Sequence, residues 1–237
     1  MKKLILFFLL MGLAPVVNSQ ILISLLLGDK LNSDALEFGL EGGLNWSSIS
    51  GFESNNYRRS FNLGFYFDFR IKNQWNFYTG VLVKSQLGTE KLTENDRLLL
   101  EVPIEVGNGS YSQVINYFIV PALFKYRFKN YFYLEAGPQA GLRYSAWTEY
   151  ILKSDNSDVR VRDYNEEKIN RIDAGITAGI GYKLLKGKGF TFGFKYYQGL
   201  TNVYKGVNGK KNRSFFVKMN IPIGAGKQEN KAKEDKG

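Results

Sequence analysis

The chain has 237 residues, 44% hydrophobic and 15% aromatic, with 25 glycines, five prolines and a net charge of +10. It contains neither cysteine nor histidine. That excludes disulfides, thiolate and imidazole metal sites, cysteine nucleophiles and histidine bases. Its basic residues alternate with acids and aromatics instead of clustering on one face, so no nucleic-acid partner is expected despite the charge.

The N-terminal stretch MKKLILFFLLMGLAPVVNSQ joins a basic start to an apolar run and then to small or polar residues. This is the pattern of a secretory signal peptide over residues 1–19, with cleavage between Ser19 and Gln20. Residues 20–35 follow as an N-terminal periplasmic segment whose apolar run, ILISLLLG, is too short to span a membrane as a helix.

From residue 36 onward the hydrophobic period is two. In 61–71, Phe61, Leu63, Phe65, Phe67, Phe69 and Ile71 share one face, opposite Asn62, Gly64, Tyr66, Asp68 and Arg70. The same alternation recurs in 36–46, 75–87, 116–128, 132–146, 171–184, 190–200 and 214–223, which makes eight strands. Each has about the ten residues a tilted strand needs to cross a bilayer. Long polar links (47–60, 88–115, 147–170, 201–213) alternate with the short turns KNQ (72–74), KNY (129–131) and LKGKG (185–189). Short turns on one side and long loops on the other predict an outer-membrane barrel with periplasmic turns. The predicted fold is all-β: an eight-stranded antiparallel up-and-down transmembrane β-barrel over 36–223, followed by a charged periplasmic tail, 224–237, expected to be disordered.

Alternation alone does not say which face is inside. A soluble lipocalin-like barrel would turn the apolar face inward, whereas a membrane barrel turns it to lipid. The polar face mixes charges with many glycines, as a narrow crowded interior requires. Trp46, Trp75, Tyr126, Tyr144 and Tyr182 fall near strand ends, where interfacial girdles sit. The lipid-facing assignment therefore wins. It places a lumen charge network on Glu37, Glu41, Asp68, Arg70, Lys84, Lys125, Arg127, Glu135, Arg143, Arg171, Asp173, Lys183, Lys195 and Lys218.

The hairpin FIVPALFKYRFKNYFYLEAGPQAGL (118–142) tests the register. Facing residues must share a face, so a three-residue turn at 129–131 sets Lys125 opposite Glu135, Arg127 opposite Tyr133 and Pro121 opposite Gln139. Its two prolines are then expected to break pairing in different ladders.

IVPALFKYRF (119–128), YLEAGPQAGL (133–142), DAGITAGIGYKL (173–184) and KYYQGLTNV (195–203) occur in this order. The set resembles the strand signatures of the PorT-like, or porin-family, outer-membrane β-barrel proteins of Bacteroidota, over roughly residues 36–223. The resemblance implies residence in the outer membrane of a Gram-negative cell. One relative serves protein secretion, which makes a secretion-apparatus component one alternative role.

Searches for chemistry return little. KGKG (186–189) lacks the phosphate-loop pattern. DNSD (155–158), near Asp163, Glu166 and Glu167, lacks the ordered spacing of a calcium loop. No catalytic residue, metal or cofactor is expected. The expected role is structural or surface-interacting, through long extracellular loops over a lumen plugged by side chains. A small, weakly anion-selective channel is the alternative. The expected partners are outer-membrane lipid including lipopolysaccharide, the barrel-assembly machinery during insertion, and a protein met by the loops.

Overall fold

The computed structural model describes residues 33–223, apart from 34, 55, 103, 104, 106, 154–157 and 188. The expected signal peptide with Ser19 and Gln20, nearly all of the 20–35 segment and the 224–237 tail lie outside the described residues. No described helix is long and apolar enough to cross a membrane, which says nothing of strands.

The strands close into a ring. Strand β1 (Leu36–Ser50) pairs with β2 (Asn56–Lys72), which pairs with β3 (Trp75–Lys84) and, past Ser85, with β4 (Gln86–Glu90). Both β3 and β4 pair with β5 (Ser110–Arg127), and β5 with β6 (Phe132–Leu152). The first half of β6 pairs with β8 (Ile172–Lys183), its second half with β7 (Val159–Tyr164). Then come β9 (Thr191–Gly199) and β10 (Lys211–Pro222), which closes on β1. Every pairing is antiparallel. With β3 and β4 sharing one wall position, and β7 and β8 another, the ring has the eight positions expected.

The exposures settle the faces. Phe194 is 61% exposed and Ile180 55%, whereas Lys218 and Glu135 are each 2% exposed. Apolar side chains outside and charged ones inside invert a soluble protein, so the lipocalin-like alternative is excluded. Trp75, Tyr126 and Phe128 form one run of ring contacts near the short turns, and Phe132 and Tyr182 another. Trp46 and Tyr144 lie toward the opposite rim.

Several strands run past their predicted ends. Strand β1 reaches Ser50, β2 begins at Asn56, β5 begins at Ser110 and β6 ends at Leu152. The wall therefore continues above the membrane through stretches expected to be links. In the β1, β5 and β6 extensions successive residues on both faces are buried, so strict apolar–polar alternation is no longer required and the period-two signal fades.

Lys84 is a correction. The register between β2 and β3 shifts at Leu63/Gly64, and this bulge reverses the alternation. Leu82 is buried inside, and so is Leu87, which was expected to face lipid. Lys84 is exposed on the outer wall, with Nζ 5.9 Å from the centroid of Phe61. Arg70 and Arg171 are also corrected: both are exposed at strand ends, outside the packed interior.

The hairpin register is as expected, with Lys125 facing Glu135, Arg127 facing Tyr133 and Pro121 facing Gln139. Tyr131, with φ of 70°, closes the three-residue turn, and Phe128 N–H donates to the Phe132 carbonyl at 2.8 Å. Pairing between β5 and β6 lapses at Ala122 and Leu123, opposite Pro138. Pairing between β3 and β5 lapses beside Pro121. The prolines thus interrupt different ladders.

Large lumen side chains lie over glycines. A Cβ on Gly181 or Gly193 would collide with the Tyr133 hydroxyl, and one on Gly39 would approach the Tyr66 ring at 2.6 Å. Small residues on one strand make room for a tyrosine from another, so these tyrosines pack closely against the opposite wall.

Candidate functional site

The interior has two tiers. The periplasmic half is ionic. Asp68 accepts from Lys125 Nζ at 2.8 Å and Asn76 Nδ2 at 2.7 Å, and Arg127 approaches it at 3.4 Å. Glu135 lies 2.6 Å from Lys218 Nζ and 3.8 Å from Lys125 Nζ. The shorter approach is a charge contact without hydrogen-bond alignment. Glu41 accepts from Lys195 at 2.8 Å and also from the Tyr78 hydroxyl. Glu37 accepts from Tyr66 at 2.9 Å and pairs with Lys183.

Tyr78 and Tyr133 bind these pairs together. The Tyr78 ring lies 4.1 Å from Lys125 Nζ and 4.0 Å from Lys218 Nζ, and Tyr133 flanks the same two lysines. Four carboxylates and five cations thus interlock around aromatic faces. Each charge has an opposite partner near enough to offset its loss of water. Farther up, Asp173 accepts from Tyr197 at 2.6 Å and Thr201 at 3.4 Å. Arg143 stands opposite Tyr117.

The extracellular half is apolar. Leu82, Leu87, Ile115, Ile119, Tyr117, Tyr197 and Phe216 from the wall pack with Phe52, Leu92, Leu100, Ile169, Val203 and Tyr204 from all four long connections. Polar ties close the connections into a cycle. Asp96 accepts from the backbone N–H groups of Glu53 and Ser54, each at 3.0 Å, joining the first to the second. Lys168 Nζ donates to the Leu100 carbonyl at 3.2 Å and pairs with Glu101 at 3.1 Å, joining the second to the third. Asn170 donates to the Asn202 carbonyl at 2.8 Å, and Lys205 N–H to the Lys168 carbonyl at 2.9 Å, joining the third to the fourth. Lys210 donates to the Gly51 carbonyl and lies over the Phe52 ring, completing the circuit.

Under this lid Gln113 accepts from Asn165 at 3.0 Å and from the Tyr204 hydroxyl at 3.2 Å. Burial pushes that hydroxyl's pKa well above its ordinary range, so it stays a neutral donor. A short helix, α1 (Glu94–Leu99), sits in the cap with a Thr93–Asp96 capping box. The T-x-x-D spacing was readable in the sequence as a helix start. The apolar cap was not, because its residues are scattered over four connections with no period.

Among the described residues no group of carboxylates is arranged to hold a metal ion. Asp158 pairs with Arg160 at 3.9 Å, and the rest of DNSD lies outside the described residues. Among the described residues the geometry is that of a membrane-spanning barrel whose bore carries packed ion pairs and whose long connections are tied to one another at one end.

The profile of the outer membrane protein beta-barrel domain family matches residues 29–205, and the chain belongs to that family. It is an outer-membrane protein. No match is found among curated proteins. Among solved structures the chain is similar to Ail, the attachment invasion locus protein of Yersinia pestis, in complex with the heparin analogue sucrose octasulfate. That likeness has 11% identity and a TM-score of 0.42, covering 80% of this chain and 99% of Ail. Neisserial surface protein A is similar at 11% identity and a TM-score of 0.38, covering 80% of this chain and 99% of that one. OprG from Pseudomonas aeruginosa is similar at 13% identity and a TM-score of 0.34, covering 79% and 94%.

Proposed function

We propose that this is a non-enzymatic surface-interaction protein: a plugged barrel that anchors an extracellular cap able to bind another protein. Within its family we place it with the PorT-like proteins of Bacteroidota, on the four strand motifs quoted above. Its export through a signal peptide and insertion by the barrel-assembly machinery belong to the same reading.

The observation that carries the proposal is the tied cap. It ties the four long connections to one another, and apolar side chains on the long-loop side stay exposed. Leu98 is 64% exposed and Tyr164 60%. Ordered loops on a rigid scaffold are the usual place of recognition.

A photoreactive residue placed at Leu98 or Tyr164 in intact cells is expected to give a discrete crosslinked product. The same residue at Lys129, on the periplasmic turn, should not give it. Cap positions that yield only uncrosslinked chain would remove the basis of the proposal.

A further inference from the structure

The outer wall carries a cationic pocket that neither the lumen nor the cap uses. Trp46 on β1 faces Arg59 on β2 and Phe215 on β10. With Tyr57 these residues line an open recess of about 510 Å³. Arg59 is exposed and has no ion pair or hydrogen bond among the described residues. The neighbouring carboxylate, Glu90, is paired with Arg58 at 3.9 Å. Arg213 stands beside the recess, with Nε donating to Ser48 at 2.7 Å and its guanidinium 5.9 Å from the Tyr57 centroid. On the other side Lys84 is exposed on the wall, with Nζ 5.9 Å from the centroid of the exposed Phe61 ring.

We propose that this pocket binds a phosphate-bearing glycolipid of the outer leaflet, of the lipopolysaccharide class. Arg59 and Arg213 take its phosphates, and Trp46 and Phe215 take the first part of an acyl chain. Four considerations support it. The site lies where the apolar band ends on the long-loop side, at the depth of outer-leaflet headgroups. Aromatic rings at that depth accept a chain on one side and a polar group on the other. Arginine matches phosphate in two-point geometry, and a lysine on a lipid-facing wall directs its ammonium toward the headgroups. The cations are also spread out. Arg213 on β10 and Lys84 on β3 are separated by three strand spacings, about 14 Å. That suits a headgroup with several anions better than the single phosphate of a glycerophospholipid.

The test uses the mature chain refolded in nanodiscs of neutral lipid. It is titrated with bisphosphorylated lipid A, with the same lipid after phosphate removal, and with phosphatidylglycerol. The wild type is expected to bind the phosphorylated form roughly tenfold more tightly than the dephosphorylated form, and phosphatidylglycerol should compete weakly. Arg59→Gln combined with Arg213→Gln should abolish the preference, and Arg160→Gln on β7 should keep it. Equal wild-type affinity for the two lipid A forms would overturn the proposal without recourse to any variant. Equal competition by phosphatidylglycerol would overturn the glycolipid assignment. Neither result bears on the cap as a protein-binding surface.

Discussion

Glu135→Ala is expected to destabilise the barrel by about 3–5 kcal/mol, the cost of breaking a buried ion pair from one side. Glu135 faces two ammonium groups, Lys218 at 2.6 Å and Lys125 at 3.8 Å. Lys125 keeps Asp68 at 2.8 Å after the change. Lys218 keeps the aromatic faces of Tyr78 and Tyr133 and the more distant charge of Glu41, which is already paired with Lys195, and these offset part of its desolvation. The effect should therefore be concentrated on Lys218. Adding Lys218→Met to Glu135→Ala removes the stranded charge and should recover much of the loss. Urea titration of the vesicle-inserted barrel, followed by the unheated-gel mobility shift, measures both variants. A loss below about 1 kcal/mol, the scale of an exposed pair, would mean that the lumen is hydrated and the tier is not packed as described.

The second large effect is on the opposite face. Phe65→Arg is expected to cost about 2–4 kcal/mol, because it places a guanidinium on the lipid face near the middle of the bilayer. Phe65 faces Leu40 on β1 and Val81 on β3, and its ring stacks near Phe38 with centroids 6.1 Å apart. Phe65→Leu keeps an apolar surface and should insert almost as well as the wild type. Insertion yield into vesicles gives the comparison. Equal yields for the Arg and Leu variants would put Phe65 away from lipid and reverse the face assignment. Asn62, on the lumen face of the same strand, is not a tolerant control. It is 3% exposed and accepts from Ser85 at 2.7 Å, so Asn62→Arg would overpack the interior at about 1–3 kcal/mol.

Alternation along β2, β6, β8 and β9 was enough to read the ring, its faces and the Lys125–Glu135 register from the amino acids. In those strands one side meets lipid and the other meets charge, and the period-two signal is strong. The signal failed at Lys84 because a bulge inserts one residue without any local marker, and everything beyond it changes face. The crowding around Asn62 was hidden for a related reason. The polar face was legible, but not that Ser85 and its neighbours fill the space around it. The cap was invisible for a deeper reason. Phe52, Leu92, Leu100, Ile169 and Tyr204 come from four separate connections, and only closure of the barrel brings them together. The ties that hold them, such as Asp96 to the backbone of residues 53 and 54, are long-range hydrogen bonds of ordinary polar residues.

A bore filled by ion pairs below and roofed by tied loops above should not conduct. Planar-bilayer recording of the purified, refolded barrel tests this most directly. A silent membrane is expected, with no steady current at either polarity across the usual range of voltage and salt. A steady open-channel current carried by the wild-type chain, weakly selective for anions, would contradict it.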